Sequence, residues 1–129
     1  MHIQDKLKAL GENGCYIISF TRGMDFNASP TKMVEVFDNL LSKGIIGPNC
    51  WVKDNNALAS EYGYTYESKT SISDEDIEYF DIIIKEYYNP RTKFQHFVLF
   101  KDYTDYNSLE KSVTVSEGYI RSFRCFKRK

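Results

Sequence analysis

The stretch SPTKMVEVFDNLLSKG, residues 29–44, carries the clearest structural signal in the chain. Ser29 is a residue type that caps helix N-termini, and Pro30 suits the first helical position. Apolar residues then recur at helical spacing, and Gly44 is a residue type that commonly follows a helix. The stretch therefore predicts an amphipathic helix from about Pro30 to Lys43, with one apolar face available for a core.

Helical signals also dominate the chain on both sides of this segment. Residues 2–10 have weak helical spacing that stops at Gly11, and residues 55–62 form a short helical pattern closed by Gly63. The apolar run at residues 16–20 fits a strand or a buried helix, because periodicity does not separate the two over so few residues.

From Tyr64 onwards the pattern changes to strands separated by turns. The predicted strands are Tyr64–Ser68, Ile82–Tyr88, Phe94–Lys101, Val113–Val115 and Tyr119–Phe126. Ser73 and the acidic residues after it predict a helical turn through Phe80. Helices followed by an antiparallel sheet define an α+β fold. The chain has 129 residues and no linker or repeat, so we expect one domain over residues 1–129.

The composition argues against several classes of function. The net charge is −1, which gives the chain as a whole no attraction to nucleic acid. The basic residues near the C-terminus fit a solubilising tail, so we expect no nucleic-acid partner. These residues are Arg121, Arg124, Lys127, Arg128 and Lys129. No segment has the apolar length of a membrane span, and the N-terminus lacks the features of a signal peptide. Three cysteines are an odd set, which disfavours a disulfide framework. We therefore expect a cytoplasmic protein with no membrane partner.

Cys15 and His96 are the residues best suited to chemistry. The other histidine, His2, lies at the terminus, whereas strand alternation places His96 on the expected inner face of an apolar strand. Cys15 follows Gly14 and precedes an apolar run, which is typical of a buried helix with a cysteine in its first turn. The structural alternatives are a buried histidine and a cysteine that acts as a small hydrophobe.

A catalytic histidine needs a third group that fixes its tautomer and orientation. Asp102, Asp105 and Asn107 all follow His96 at distances over which a hairpin can fold back, although each is also an ordinary turn former. A zinc site built from Cys15, Cys50, Cys125 and His96 is a weaker alternative, because no close pair of cysteines is present. We expect no metal and no cofactor.

The segments GCYIIS (residues 14–19) and QHFVL (residues 95–99) resemble the papain-like cysteine peptidase superfamily. The likeness is closest to its small bacterial and phage-associated members, including the bacteriocin-leader peptidase type. Tyr106-Asn107-Ser108 matches the slot in which that family carries Asp or Asn. The likeness spans residues 12–126, and the segments SVTV (residues 112–115) and GYI (residues 118–120) look like its closing strands.

This resemblance implies a papain-like fold, with N-terminal helices packed on a C-terminal antiparallel sheet. It implies that Cys15 is the nucleophile, that His96 is general base and then acid, and that Asn107 orients the imidazole. The glutamine that usually completes the oxyanion hole is missing, so Asn13 takes that place beside the Cys15 backbone N–H. The implied reaction is acyl transfer or amide hydrolysis on a peptide or protein, without a cofactor.

A catalytically inactive binding module on the same scaffold is the alternative. Its contacts would be an aromatic surface, since tyrosine is enriched at interfaces; the candidates are Tyr62, Tyr64, Tyr66, Tyr87 and Tyr88. The missing glutamine favours this alternative, and the order Cys–His–Asn favours the enzyme.

Overall fold

The structure is a computed structural model that describes residues 3–107 and 113–129. His2, Ser108 and Ser112, which carry parts of the predictions above, lie outside the described residues. The helices are α1 (Ile3–Asn13), α2 (Cys15–Met24), α3 (Pro30–Ser42), α4 (Asn55–Glu61), α5 (Asp74–Tyr79) and α6 (Val113–Glu117). The strands are β1 (Tyr64–Lys69), β2 (Ile82–Asn89), β3 (Phe94–Lys101), β4 (Thr104–Tyr106) and β5 (Tyr119–Arg128).

Helix α3 begins and ends where its sequence signals predict. The Ser29 side chain accepts a hydrogen bond from the Lys32 backbone N–H at 3.2 Å, and Pro30 is the first helical residue. Gly44 has φ +70°, the left-handed conformation that glycine adopts without strain after a helix. The apolar run after Cys15 is a helix, α2, rather than a strand. None of the helices in the described residues is long and apolar enough to cross a membrane.

The five strands form one antiparallel sheet in the order β1-β5-β2-β3-β4. The last strand of the chain, β5, therefore lies inside the sheet between β1 and β2. Four helices precede the first strand, and the remaining two lie between strands along the chain. The predicted α+β class with an antiparallel sheet is confirmed.

The sheet has two faces, because successive residues on a strand point to opposite sides. The helical face packs against α1 to α4 and forms most of the core, with the strand residues Ile82, Ile84, Phe97, Leu99 and Phe126. The opposite face carries a smaller apolar cluster around Phe80, Ile83, Phe123 and Cys125. Both faces of the central strands are therefore covered, which agrees with their nearly continuous apolar sequence.

The predicted strand at Val113–Val115 is wrong, because these residues begin helix α6. β5 already occupies the position beside β2, so no sheet edge is open there for another strand. Helix α6 packs on β2 instead and buries Thr114. A Cβ on Gly118 would lie 2.6 Å from the Tyr88 carbonyl oxygen, so glycine permits the tight passage from α6 into β5.

Candidate functional site

Cys15 is the first residue of α2, and Gly14 separates it from the last residue of α1. The Gly14 backbone N–H donates to the Leu10 carbonyl at 2.8 Å. A Cβ on Gly14 would lie 2.3 Å from the same oxygen, so only glycine fits where the two helices meet. This close approach fixes the cysteine at a helix N-terminus.

The Cys15 thiol is largely withdrawn from water. Burial raises the pKa of Cys15 above its ordinary value, against the opposing effect of backbone N–H groups of Phe97, Tyr16 and Cys15 itself. The burial effect is the larger, so the sulfur carries its proton at neutral pH. The low pKa typical of a thiol at a helix N-terminus is not reached in this structure.

Helix α2 lies beside the part of β3 that β4 leaves unpaired. β4 pairs with β3 only at residues 99–101, so the backbone of Phe97 faces α2 instead. The Ser19 hydroxyl donates to the Phe97 carbonyl at 3.5 Å, and the ring centroids of Tyr16 and Phe97 are 4.7 Å apart. These contacts place the Cys15 sulfur beside the residue that directly follows His96.

His96 is buried, with 6% of its surface exposed, and its ring is bonded to Asn107. The His96 Nε2 and Asn107 Oδ1 atoms are 2.5 Å apart. Because an amide oxygen accepts hydrogen bonds, Nε2 carries the hydrogen, and Nδ1 is the ring atom able to accept a proton. Asp105 instead bonds the Tyr87 hydroxyl at 2.5 Å and the Lys85 ammonium at 2.9 Å. Of the three candidate orienting residues, the structure pairs Asn107 with His96.

Cys15 and His96 line one cavity of about 610 Å³, together with Asn13. Within residues 3–107 and 113–129, no hydrogen bond joins the Cys15 sulfur to the His96 ring. Catalytic hydrogen bonds are often loose before substrate binds, so the shared cavity is the informative feature. Trp51 also lines this cavity and is 62% exposed, which makes it a rim residue.

A charged cluster in the same cavity was missed by the sequence predictions. The Glu86 side chain is 3% exposed and accepts from Arg121 Nη2 at 2.6 Å and from the Ser122 hydroxyl at 2.8 Å. Arg124 Nη2 lies 3.6 Å from the same carboxylate. Burial opposes ionisation, but the hydrogen bonds and the two positive charges together lower the pKa of Glu86.

This cluster corrects the interpretation of the C-terminal basic run as a solubilising tail. The run belongs to strand β5, and Arg121 and Arg124 line the cavity. Lys127 pairs with Asp81 across 3.6 Å, and Arg128 donates to the Tyr64 hydroxyl at 3.2 Å. A glutamate within the apolar run Ile82–Tyr88 was the available signal, because a buried carboxylate requires cationic partners.

The remaining cysteines do not complete a metal site with Cys15. Cys50 is buried in a loop that lines the cavity, and burial raises its pKa to about 11. Cys125 belongs to the cluster on the opposite face. Over the described residues, no group of three or more His, Cys, Asp or Glu side chains is arranged to hold a metal ion.

The five tyrosines predicted to form an aromatic binding surface are half-buried or buried. Tyr64 is buried and the other four are half-buried. Tyr62 and Tyr64 pack edge-on against Phe20, with ring centroids 5.8 and 6.1 Å away. Tyr62, Tyr64 and Tyr66 therefore contribute to the core on the helical face.

The fold and the cavity define a small α+β protein in which a cysteine and a histidine line one cavity and an asparagine is bonded to the histidine. The chain belongs to the family described as "Protein of unknown function, DUF261", which matches residues 8–128. No curated protein and no solved structure matches the chain. The resemblance to papain-like peptidases therefore stays a prediction.

Proposed function

We propose that the chain is a thiol-dependent acyl transferase or amide hydrolase of papain-like architecture, with Cys15, His96 and Asn107 as its reacting and orienting residues. The observation that carries this proposal is the 2.5 Å contact between His96 Nε2 and Asn107 Oδ1, because His96 lines the same cavity as Cys15 at the start of α2. A hydrogen bond at Nε2 leaves Nδ1 to act as a base, which is the arrangement that a thiol nucleophile requires.

The first half of the reaction forms a thioester. The Cys15 sulfur attacks the substrate carbonyl carbon while its proton passes to His96 Nδ1. The C–N bond of the tetrahedral intermediate then breaks, and the leaving amine takes that proton from the imidazolium. Asn107 holds the ring in one tautomer throughout.

The second half releases the acyl group. Water or a second amine gives a proton to His96 as it attacks the thioester carbonyl, and the proton returns to the Cys15 sulfur when the C–S bond breaks. Attack by water gives hydrolysis, and attack by an amine gives transfer.

Backbone N–H groups at the start of α2 support the developing oxyanion. The first N–H groups of a helix have no partner within the helix, and those of Cys15 and Tyr16 are directed at the sulfur. Asn13 lines the same cavity and is the side-chain candidate for the second donor.

The raised pKa of Cys15 selects between two forms of this mechanism. A thiol that is neutral at rest must lose its proton to His96 as the substrate is attacked, rather than exist beforehand as a thiolate–imidazolium pair. The rate should therefore depend strongly on the imidazole as a general base.

The test uses p-nitrophenyl acetate, an activated acyl donor that needs no specific recognition. We expect a burst of p-nitrophenol with an acetyl group on Cys15, located by peptide mass spectrometry. His96→Ala should lower the acetylation rate by roughly 10² or more, the usual contribution of a general base. Asn107→Ala should lower it less, because it removes only the orientation of the ring.

Cys125→Ala is the matched control, because it removes a cysteine from the opposite face and should leave the burst unchanged. Equal acetylation of Cys15 in the wild type and in His96→Ala would contradict the proposal.

A binding module for a peptide or protein is the second candidate. It is favoured by the neutral resting thiol and by the absence, among the described residues, of a bond between Cys15 and His96. In that case the cavity would bind its partner without turnover, and Cys15→Ala would leave binding intact.

A further inference from the structure

The wall of the cavity formed by β2 and β5 contains more positive than negative charge. The guanidinium groups of Arg121 and Arg124 share one carboxylate, that of Glu86. Apart from His96, the other residues that line the cavity are uncharged at neutral pH. Burial raises the pKa values of Cys15, Tyr16 and Cys50, so these three groups keep their protons. Two cations and one anion leave a local excess of one positive charge in a chain whose net charge is −1.

The two arginines differ in how far their donors are already used. Arg124 donates from Nε to the Ser122 hydroxyl and from Nη1 to the Tyr66 hydroxyl, both at 3.1 Å, and its side chain is 23% exposed. Arg121 bonds only through Nη2 within the described residues, to Glu86 and Gln95, and its side chain is 42% exposed. Its Nε and Nη1 donors therefore remain for a ligand.

The position of Arg121 is fixed before any ligand arrives. Its guanidinium carbon lies 4.3 Å from the centroid of the Tyr88 ring, and its Nη2 is held by Glu86 and Gln95. Both two-donor edges of a guanidinium include Nη2, which is already bonded, so Nε and Nη1 each remain for a single charge-assisted hydrogen bond. A fixed cation with such donors is suited to an anionic oxygen such as that of a carboxylate.

We infer that Arg121 binds a carboxylate of the substrate, so that the cavity takes acyl substrates or peptides with an acidic group near the reacting carbonyl. The acidic group is either the side chain of Asp or Glu or the free C-terminal carboxylate of a peptide. This inference rests on the proposed function for the position of the reacting carbonyl. The binding of an anion in the cavity does not depend on turnover.

The first experiment compares alkylation of Cys15 by iodoacetate and by iodoacetamide. Both reagents form an S–C bond and release iodide, so the thiolate fraction cancels in the ratio of their rates and the charge of the reagent remains. We expect Arg121→Gln to lower the iodoacetate-to-iodoacetamide ratio roughly tenfold, the effect of losing a charge-assisted hydrogen bond.

Arg91→Gln is the matched control for this ratio. Arg91 pairs with Glu117 at 2.5 Å outside the cavity, and its removal takes away one positive charge without touching the site. A ratio that is the same in wild type and Arg121→Gln, or that falls equally in Arg91→Gln, would overturn the inference.

The second experiment leaves the charged cluster intact. Trp51 is the single tryptophan of the chain and lies at the rim of the cavity, so its fluorescence reports binding there. The Cys15→Ala protein is titrated with short acetylated peptides that differ only at their last residue: Gln amide, Glu amide, and Gln with a free carboxylate.

We expect one acidic peptide to bind roughly tenfold more tightly than the Gln amide. The Glu amide identifies an acidic side chain as the ligand, and the free carboxylate identifies a peptide C-terminus. Equal binding of all three peptides, or no change in fluorescence with any of them, would overturn the inference.

The two proposals fail separately. A protein that does not acetylate Cys15 but prefers the anionic reagent and peptide has an anion-binding cavity without the proposed catalysis. A protein that acetylates Cys15 without either preference is an acyl transferase whose substrate is not acidic.

Discussion

The two faces of the sheet are built from the same strands, yet they bury very different side chains. The helical face holds the larger core and, beside it, a cavity with a thiol and three charged groups. His96, which alternates with Phe97 along β3, also lines this cavity. The opposite face holds a small apolar cluster around Phe123 and Cys125. Alternate residues of β5 point to opposite faces of the sheet. Arg124 and Phe126 lie on the helical face, and Phe123 and Cys125 lie on the other.

The comparison shows how polar groups are tolerated within a covered sheet. On the helical face, Glu86 is buried but has hydrogen bonds and two cations around it. On the opposite face, Lys85, which precedes Glu86 on β2, pairs with Asp105 and lies 4.1 Å from the Phe100 ring centroid. Because the Glu86 carboxylate is more deeply buried than either partner of the Lys85–Asp105 pair, its cluster is more costly to maintain, and we associate it with function.

The largest expected difference between the faces lies in the reactivity of their cysteines. Cys125 is fully buried, and burial raises its pKa to about 12, so iodoacetamide should reach it only through global unfolding. Its alkylation in the native state should be roughly 10³-fold or more slower than in urea. Cys15 is partly exposed and lines the cavity, so it should react in the native state.

The pH dependence separates a buried thiol from an activated one. Because the pKa of Cys15 is raised above its ordinary value of 9.0, its alkylation rate should still be rising above that pH. Rates are measured by peptide mass spectrometry across the alkaline range, with the unfolded chain as reference. A midpoint at acidic or neutral pH would show that the thiol is activated and that burial does not dominate.

Substitutions in the two apolar clusters should differ in their effect on stability. Phe20 is fully buried and packs on Phe126 with ring centroids 4.9 Å apart, so Phe20→Ala should reduce the free energy of unfolding by about 3–5 kcal/mol. Phe123 is 9% exposed in the smaller cluster, and Phe123→Ala should cost about 2–3 kcal/mol. Urea denaturation measures both, and equal losses would show that the two clusters contribute alike.

Much of the fold could be predicted from the sequence because helix caps and apolar periodicity depend only on residues close together in the chain. The capped helix α3 and the strand Phe94–Lys101 occur where their own residues place them. The prediction of a strand at Val113–Val115 was wrong because β-branched residues favour strands only in a suitable sheet context, and β5 occupies the position beside β2, on which these residues pack as a helix. Strand order depends on contacts between distant residues, which periodicity does not encode.

The candidate site could be predicted only in part, for a related reason. Cys15, His96, Asn107 and Asn13 stand out by residue type, and the structure brings the first two and Asn13 to one cavity, with Asn107 bonded to His96. Arg121 and Arg124 looked like a solubilising tail because Glu86, their partner, is 35 residues from Arg121 in sequence. A charge cluster becomes visible only when the pairing of β2 with β5 is known.

Glu86→Gln tests the charged cluster directly. The substitution removes the anion between two cations, and we expect a loss of about 2 kcal/mol at neutral pH. Because the folded state lowers the pKa of Glu86, its contribution is complete above the ordinary carboxyl pKa of 4.5 and disappears as the pH falls through the lowered value. The wild type and the variant should therefore converge in stability in acid.

Lys85→Met is a control on the opposite face, where a partly exposed ion pair is removed. It should change the free energy of unfolding by about 1 kcal/mol or less. A constant difference between wild type and Glu86→Gln from neutral to acid pH would contradict the lowered pKa.

The smallest expected effects come from the N-caps of one helix on each side of the molecule. Ser29 caps α3, which buries four residues in the main core, so Ser29→Ala should lower the global free energy of unfolding by about 1 kcal/mol. Ser73 forms a capping box with Asp76 at the start of α5, a helix with no buried residues. Because α5 can open without exposing a core, Ser73→Ala should increase hydrogen exchange within Asp74–Tyr79 and change global stability less. Ser29→Asp and Ser73→Asp keep a capping oxygen, so neither should show the loss caused by the corresponding alanine. If Ser73→Ala lowered the global free energy of unfolding as much as Ser29→Ala does, α5 would unfold as one unit with the core.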